Sequence, residues 1–226
     1  MTAVAIDGPV GAGKSSVARA CAKKLGFIYV DTGALYRACG LKCKRSGVEI
    51  IPENAGEIGD LLNRTKLGIK LIDGVQHVFL DGEDVSEEIR LPEISMAASA
   101  VSALPVVRQY LLGLQRQLAA ENNVIMDGRD IGTVILPNAQ VKIFITAKPE
   151  IRAKRRYDEL VAKGLDVDFQ MVLDELNQRD YQDSHRETAP LKQAEDAVLL
   201  DTTDLDFEQT VARVIELVAE KTDMKD

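Results

Sequence analysis

The sequence predicts an α/β fold: a five-stranded parallel sheet flanked by helices, with a small antiparallel β insert. Three observations carry this. Five short apolar segments alternate with helical ones, the pattern of a parallel sheet covered on both faces. Several of these segments end in a carboxylate or a glycine turn, where such a sheet places its ligands. Between them, residues 67–85 switch to a roughly period-two pattern. Asp73-Gly74 and Asp81-Gly82 interrupt that stretch, and Asp-Gly is a strong hairpin signal.

Ala3 to Asp7 reads as the first buried strand. Gly8-Pro9-Val10-Gly11-Ala12-Gly13-Lys14-Ser15 follows it and opens into a helical run from Ser16 to Leu25. Strand, glycine loop and helix in that order are the context of a phosphate-binding P-loop. The glycines let successive backbone N–H groups turn inward as an anion nest, and the helix N-terminus adds partial positive charge. Lys14 would reach the outer phosphates of a nucleoside triphosphate, and Ser15 would hold Mg²⁺.

Ile28 to Asp31 is the second strand, with a helix from about Thr32 to Arg45 that Thr32 is placed to cap. Asn123 to Asp127, Val141 to Ile145 and Ala197 to Asp201 complete the five. Helices are expected from Pro105 to about Glu121, Pro149 to about Ala162, Asp168 to about Tyr181, and Asp206 to Glu220. In the last, Phe207, Val211, Val214 and Val218 form an apolar face, and Asp206 with Gln209 makes a capping-box-like pair. Leu67 to Ile72, Gln76 to Leu80 and Glu83 to Val85 form the insert, at about 65–86. Connections are short, so residues 1–226 read as one domain with an insert.

Hydrophobic residues make up 46% and charged residues 28%, an ordinary globular composition. The start lacks the basic-then-apolar pattern of a signal peptide, and no apolar run reaches spanning length. Cys21, Cys39 and Cys43 read as core-filling thiols in a reducing cytoplasm, and a monomer is expected. The net charge of −8 argues against a nucleic-acid polymer as partner. From Arg129 to Arg156, however, seven basic residues face two acids, whereas from Glu53 to Glu93 ten acids face four bases. A concentrated positive zone on an acidic body suits a small polyanion in a cleft.

Asp127 ends an apolar strand, the place of a Mg²⁺-organising carboxylate, acting through water, in P-loop proteins. Arg129 beside it is a phosphate clamp or a salt-bridge partner of Asp130. Arg152, Arg155 and Arg156 share a helix face at i, i+3, i+4, where like charges repel unless an anion joins them. Arg179, Asp183 and Arg186 share a face if their helix continues, and the spacing alone does not separate a ligand site from a surface ion pair. Tyr36 and Arg37 are open between substrate and structural roles. His77 reads as structural, and His185 sits beside Arg186. Transfer to an alcohol calls for a base, whereas a phosphate acceptor is already ionised near neutral pH. No histidine-based nucleophile or metal constellation is seen.

These segments together resemble the bacterial cytidylate kinases, P-loop nucleoside monophosphate kinases. The resemblance runs from Thr2 to about Glu220. It rests on the P-loop, Asp31-Thr32-Gly33-Ala34-Leu35-Tyr36-Arg37, Asp127-Gly128-Arg129-Asp130-Ile131-Gly132, and Arg179 to Leu191 with Ala189-Pro190-Leu191. It implies transfer of the γ-phosphoryl of ATP to CMP or dCMP, in pyrimidine nucleotide metabolism. It implies ATP contacts at Gly8 to Ser16 and catalytic roles for Lys14, Asp127, Arg129, Arg152, Arg155 and Arg156. Cytosine contacts fall on Ser99, Arg108 and Asp130, and sugar contacts on Arg179 and Asp183, with Thr32 nearby. Phosphate contacts fall on Arg37, Arg129 and Arg186, with Tyr36 beside them. Residues 32–104 correspond to the monophosphate-binding region and 149–186 to a helical lid. A P-loop kinase for another small acceptor, with Asp31 as its base, and a nucleotide-dependent switch or binding module are the alternative readings.

Overall fold

A computed structural model describes residues 1–72 and 75–222. The chain divides into two compact units, residues 1–29 with 123–226, and residues 30–122. In chain order the elements are β1 (Ala3–Asp7), α1 (Lys14–Leu25), β2 (Ile28–Asp31), α2 (Thr32–Arg45), α3 (Ala55–Asn63), β3 (Leu67–Ile72), β4 (Val75–Leu80), β5 (Glu83–Asp84), α4 (Pro92–Ser102), α5 (Pro105–Glu121), β6 (Val124–Gly128), β7 (Val141–Thr146), α6 (Pro149–Ala162), α7 (Phe169–His185), β8 (Val198–Asp201) and α8 (Phe207–Thr222). Five strands form one sheet in the order β2-β6-β1-β7-β8. β1 pairs in parallel with β6 and β7, and β7 with β8. Among the described residues no single helix is long and apolar enough to cross a membrane.

In the first unit, β1 and β6 are buried on both faces of the sheet, and their sequences are accordingly almost wholly apolar. Val4, Ile6, Ile125, Ile143 and Ile145 pack with Val17 and Cys21 of α1 and with Val211, Val214, Leu217 and Val218 of α8. Asp206 and Gln209 close the expected capping box, each side chain accepting from the other's backbone N–H. Asn123 stays outside β6 because its side chain accepts from the Thr2 N–H and its carbonyl from the Ile28 N–H. Phe169 begins α7 because Asp168 is its cap, accepting from the Met171 N–H at 2.9 Å.

The second unit holds the insert as a three-stranded antiparallel sheet, β3-β4-β5. The Asp73-Gly74 turn expected between its first two strands lies outside the described residues. Asp81 and Gly82 make the second turn, and both adopt positive φ. Val78 and Leu80 pack against Ala34, Ala38 and Leu41 of α2. A second cluster joins α2 to α3, α4 and α5 through Leu35, Cys39, Ile58, Val101 and Leu111. α3 and α4 were not anticipated: α3 is a nine-residue helix in the acidic stretch, and α4 is a short run of small and apolar residues with Glu93 as its one acid, so neither offers a long periodic face. Cys21, Cys39 and Cys43 are all buried free thiols, the packing role expected of them.

Candidate active site

In the first unit the P-loop joins β1 to α1. Gly8, Gly11 and Gly13 all have positive φ, the backbone turns on which an anion nest is built. Lys14 is buried and donates to the Pro9 carbonyl at 2.6 Å, so its ammonium lies back along the loop. Burial, together with the nearby Arg129 charge, lowers its pKa to about 7, and Asp127, Asp7 and Asp183 only partly oppose this. Ser15 is exposed at the helix start and donates its hydroxyl to Asp127 at 2.7 Å. Tyr29 donates to the other oxygen of that carboxylate at 2.9 Å. A hydroxyl and a carboxylate side by side are hard oxygen donors that suit Mg²⁺. Ser16 is exposed one residue further along α1.

The far side of the loop is tied down. Arg152, buried on α6, donates to the Val10 carbonyl at 2.8 Å and pairs with Asp180 of α7 at 2.6 Å. Asp180 in turn accepts from the Val10 N–H. The three-arginine cluster is not a single shared anion site here. Arg155 donates to the Thr202 carbonyl at 2.7 Å and to the Thr202 hydroxyl, and Arg156 pairs with Glu159 at 2.8 Å on the surface. Each guanidinium has found its own acceptor, which relieves the repulsion inferred from spacing.

After β6 the chain passes through a single π turn, Ile131–Ile135, a deformation often found at functional sites. Asp7, at the end of β1, holds the start of that turn. Its carboxylate accepts from the Ile131 and Gly132 N–H groups, each at 2.7 Å. Burial pushes its pKa up to about 6 against those two bonds. Arg129 pairs with Asp183 at 2.7 Å. Burial works against the Arg129 charge, but Asp183, Asp127 and Asp180 outweigh it and raise its pKa. Asp130 is buried and pairs with Arg186 at 3.3 Å.

Arg179 and Asp183 lie on α7, which continues to His185. Arg186 follows at its C-cap with extended backbone, so the three do not share a helix face as the continued-helix expectation had it. Arg186 instead reaches the Ala189 carbonyl at 2.7 Å, and Ala189 holds a left-handed φ of 50° before Pro190. That strained conformation is the physical content of the Ala189-Pro190-Leu191 segment. His185 stacks on Tyr181 with ring centroids 4.0 Å apart, and its ring bonds the Tyr181 carbonyl.

In the second unit the expected cap is corrected. Asp31, not Thr32, caps α2, accepting from the Ala34 N–H at 2.9 Å, while Thr32 is its buried first residue. Asp sits at the β-to-α corner with the extended backbone a cap needs, which Thr32 lacks. The second Asp31 oxygen pairs with Arg37 at 2.8 Å. Arg108 is buried, with its guanidinium carbon 5.6 Å from the Tyr36 ring centroid, and donates to the Ser102 carbonyl. The Ser102 hydroxyl donates back to the Ser99 carbonyl at 2.8 Å, so Ser99, Arg108 and Tyr36 belong to one neighbourhood. His77 pairs with Asp84 within the insert, as a structural residue would.

Sequence reasoning missed four supporting groups: Asp7, Tyr29, Asp180 and Gln76. Asp7 carried a visible signal, since it ends an apolar strand just as Asp127 does. The other three bond to backbone or to carboxylates distant in sequence, and spacing cannot show that.

A glycine loop between a central parallel strand and a helix, with Lys14, Ser15 and Asp127 gathered around it, defines a nucleotide-binding protein of the P-loop class. The family model described as cytidylate kinase matches residues 4–220, and the chain belongs to that family. A cytidylate kinase of Caldicellulosiruptor bescii is 53% identical over 95% of this chain and 94% of its own length. One of Caldanaerobacter subterraneus subsp. tengcongensis is 52% identical over 97% and 95%. Among solved structures, an uncharacterized protein from Eubacterium ventriosum aligns over 97% of this chain and 98% of its own with a TM-score of 0.52. At 12% identity that likeness concerns the fold alone.

Proposed function

We propose that the enzyme transfers the γ-phosphoryl group of ATP to the phosphate of CMP or dCMP, giving ADP and the nucleoside diphosphate, as a cytoplasmic monomer. The observation that carries this is the Ser15–Asp127 bond beside the buried Lys14, in a family named for cytidylate. The P-loop from Gly8 to Ser16 binds the ATP phosphates, and Lys14 follows the outer ones. Ser15 and Asp127 would hold Mg²⁺, which would supply charge neutralisation on the phosphates.

Arg37, Arg129 and Arg186 bind the acceptor phosphate, with Tyr36 beside it, and Arg179 and Asp183 bind the sugar near Thr32. Asp130 accepts from the cytosine amino group, while Arg108 and Ser99 serve the ring's acceptor atoms. Arg152, Arg155 and Arg156, in the 149–186 lid, neutralise charge on the transferring group and exclude water. An ionised acceptor phosphate needs no general base. The reading with a hydroxyl acceptor would need Asp31 as base, and that carboxylate is already committed to the Ala34 N–H and to Arg37. Turnover with CMP, dCMP, UMP, AMP and no acceptor tests the proposal. ADP formation that is independent of CMP, or faster with AMP, refutes it.

A further inference from the structure

Gln76 is a polar residue on the inward face of β4, where Val78 and Leu80 are its neighbours at period two. An apolar side chain would fill that position at lower cost, because a buried amide must be hydrogen-bonded. Both ends of the Gln76 amide are used on one residue. Its carbonyl accepts from the Asp31 N–H at 2.8 Å, and its amide donates to the Asp31 carbonyl at 3.3 Å. β2 is the outermost strand of the parallel sheet, so its free edge carries backbone groups that no further strand satisfies. One side chain thus pairs with Asp31 as a neighbouring strand would.

Asp31 is where the acceptor reading begins. Its carboxylate caps α2 and fixes Arg37 at 2.8 Å. The bracket is tight: a Cβ on Gly33 would stand 3.1 Å from the Asp31 carboxylate and 3.3 Å from the Arg37 guanidinium. Among the described residues the buried Arg37 Nε has no hydrogen-bond partner, so it is a donor that an incoming anion would satisfy. We infer that Gln76 of the β insert is a positioning residue for acceptor-phosphate binding: by fixing the Asp31 backbone it aims the Arg37 guanidinium. The inference rests on the assignment of Arg37 to the acceptor phosphate. It gives the insert a part in catalysis without any contact with substrate.

The test is steady-state kinetics on Gln76→Met, a swap of similar volume, with Arg37→Met measured in parallel. Gln76→Met should raise KM for CMP by on the order of 10-fold, since small misplacement of a positioning group is costly, and leave KM for ATP within about 2-fold. A purely structural loss would shift both alike, and that result overturns the inference, as does an unchanged KM for CMP. If Arg37→Met raises KM for CMP while Gln76→Met does not, only the positioning role fails. If Arg37→Met has no effect, the acceptor assignment itself fails. Should Gln76→Met not fold, Gln76→Glu carries the test. It keeps an oxygen to accept from the Asp31 N–H but removes the donor to the Asp31 carbonyl, and it must give the same split between the two substrates. Parent-like KM for CMP in that variant overturns the inference.

Discussion

Replacing Gly8 by alanine tests the phosphate loop where it leaves the sheet. An ideal Cβ on Gly8 would lie 1.9 Å from the Ile145 carbonyl oxygen and 3.0 Å from its carbon. Both atoms are backbone, so no side-chain rotation relieves the overlap. The register shows why: Ile6 faces Ile143 and Asp7 faces Phe144, which brings Gly8 alongside Ile145 as the loop begins. A tolerable contact needs either separation of β1 from β7 or a different φ at Gly8, which now stands at 147°. The first breaks the central parallel ladder, and the second re-aims the first turn of the loop.

The cost has two parts. A non-glycine residue held in such a conformation costs about 1–3 kcal/mol. Overpacking against a fixed neighbour adds about 1–3 kcal/mol, with this overlap at the upper end. Together these give about 4–6 kcal/mol, which for a chain of this size lowers Tm by about 8–24 °C. Gly13→Ala is the control. It too has positive φ, but a Cβ there meets nothing within 4 Å, so only the conformational part applies. That variant should lose about 1–3 kcal/mol. Thermal unfolding by circular dichroism reads both. Equal Tm losses in the two variants, or a Gly8→Ala protein within about 3 °C of the parent, would refute the claim that strand contact rather than local conformation dictates glycine at position 8.

Other outcomes follow from the site. Lys14→Met should lower kcat by on the order of 10²-fold, the loss of a preorganised contact to developing charge; near-normal kcat would remove Lys14 from the phosphate clamp. CMP should exceed UMP in kcat/KM by as much as ~10⁴-fold, because uracil offers an acceptor where cytosine offers a donor. Asp130→Ala should flatten that ratio, and equal slowing of both substrates would show that Asp130 instead only holds Arg186. Hydrogen exchange across residues 149–168 should slow when an ATP analogue and CMP are both bound, and unchanged exchange would count against a closing lid.

The sheet was legible because burial on both faces forces apolar runs, and β1, β2 and β7 begin where the sequence places them. The insert was legible from period two. Less visible was everything held by long-range polar contacts. Thr32 looked like the cap because capping residues are chosen by type, and Asp31 and Thr32 are both capping types; only the backbone at the corner decides between them. The arginines of α6 looked like one cluster because sequence shows charges but not the carbonyls of Val10 and Thr202 that disperse them. The division into two compact units leaves no mark at Tyr29 or Asn123: the first boundary falls inside β2 and the second in the short connection from α5 to β6.

A protein of net charge −8 that binds two polyanions presents an electrostatic problem, and the ion pairs resolve it. Besides the exposed Arg156, four arginines assigned to substrate phosphates already have carboxylate partners: Arg37 with Asp31, Arg129 with Asp183, Arg152 with Asp180, and Arg186 with Asp130. A buried guanidinium without a partner would cost several kcal/mol, of order what one protein domain has to spare. Each carboxylate fixes its arginine in direction before substrate arrives. It also uses only part of the guanidinium, which has five N–H donors. A guanidinium already aimed in this way meets phosphate with little reorganisation, the condition under which electrostatic contacts lower a barrier most. The acids that make the chain negative are therefore, at these four positions, what makes its arginines usable. The net charge of the whole chain therefore says nothing against a small phosphate ligand.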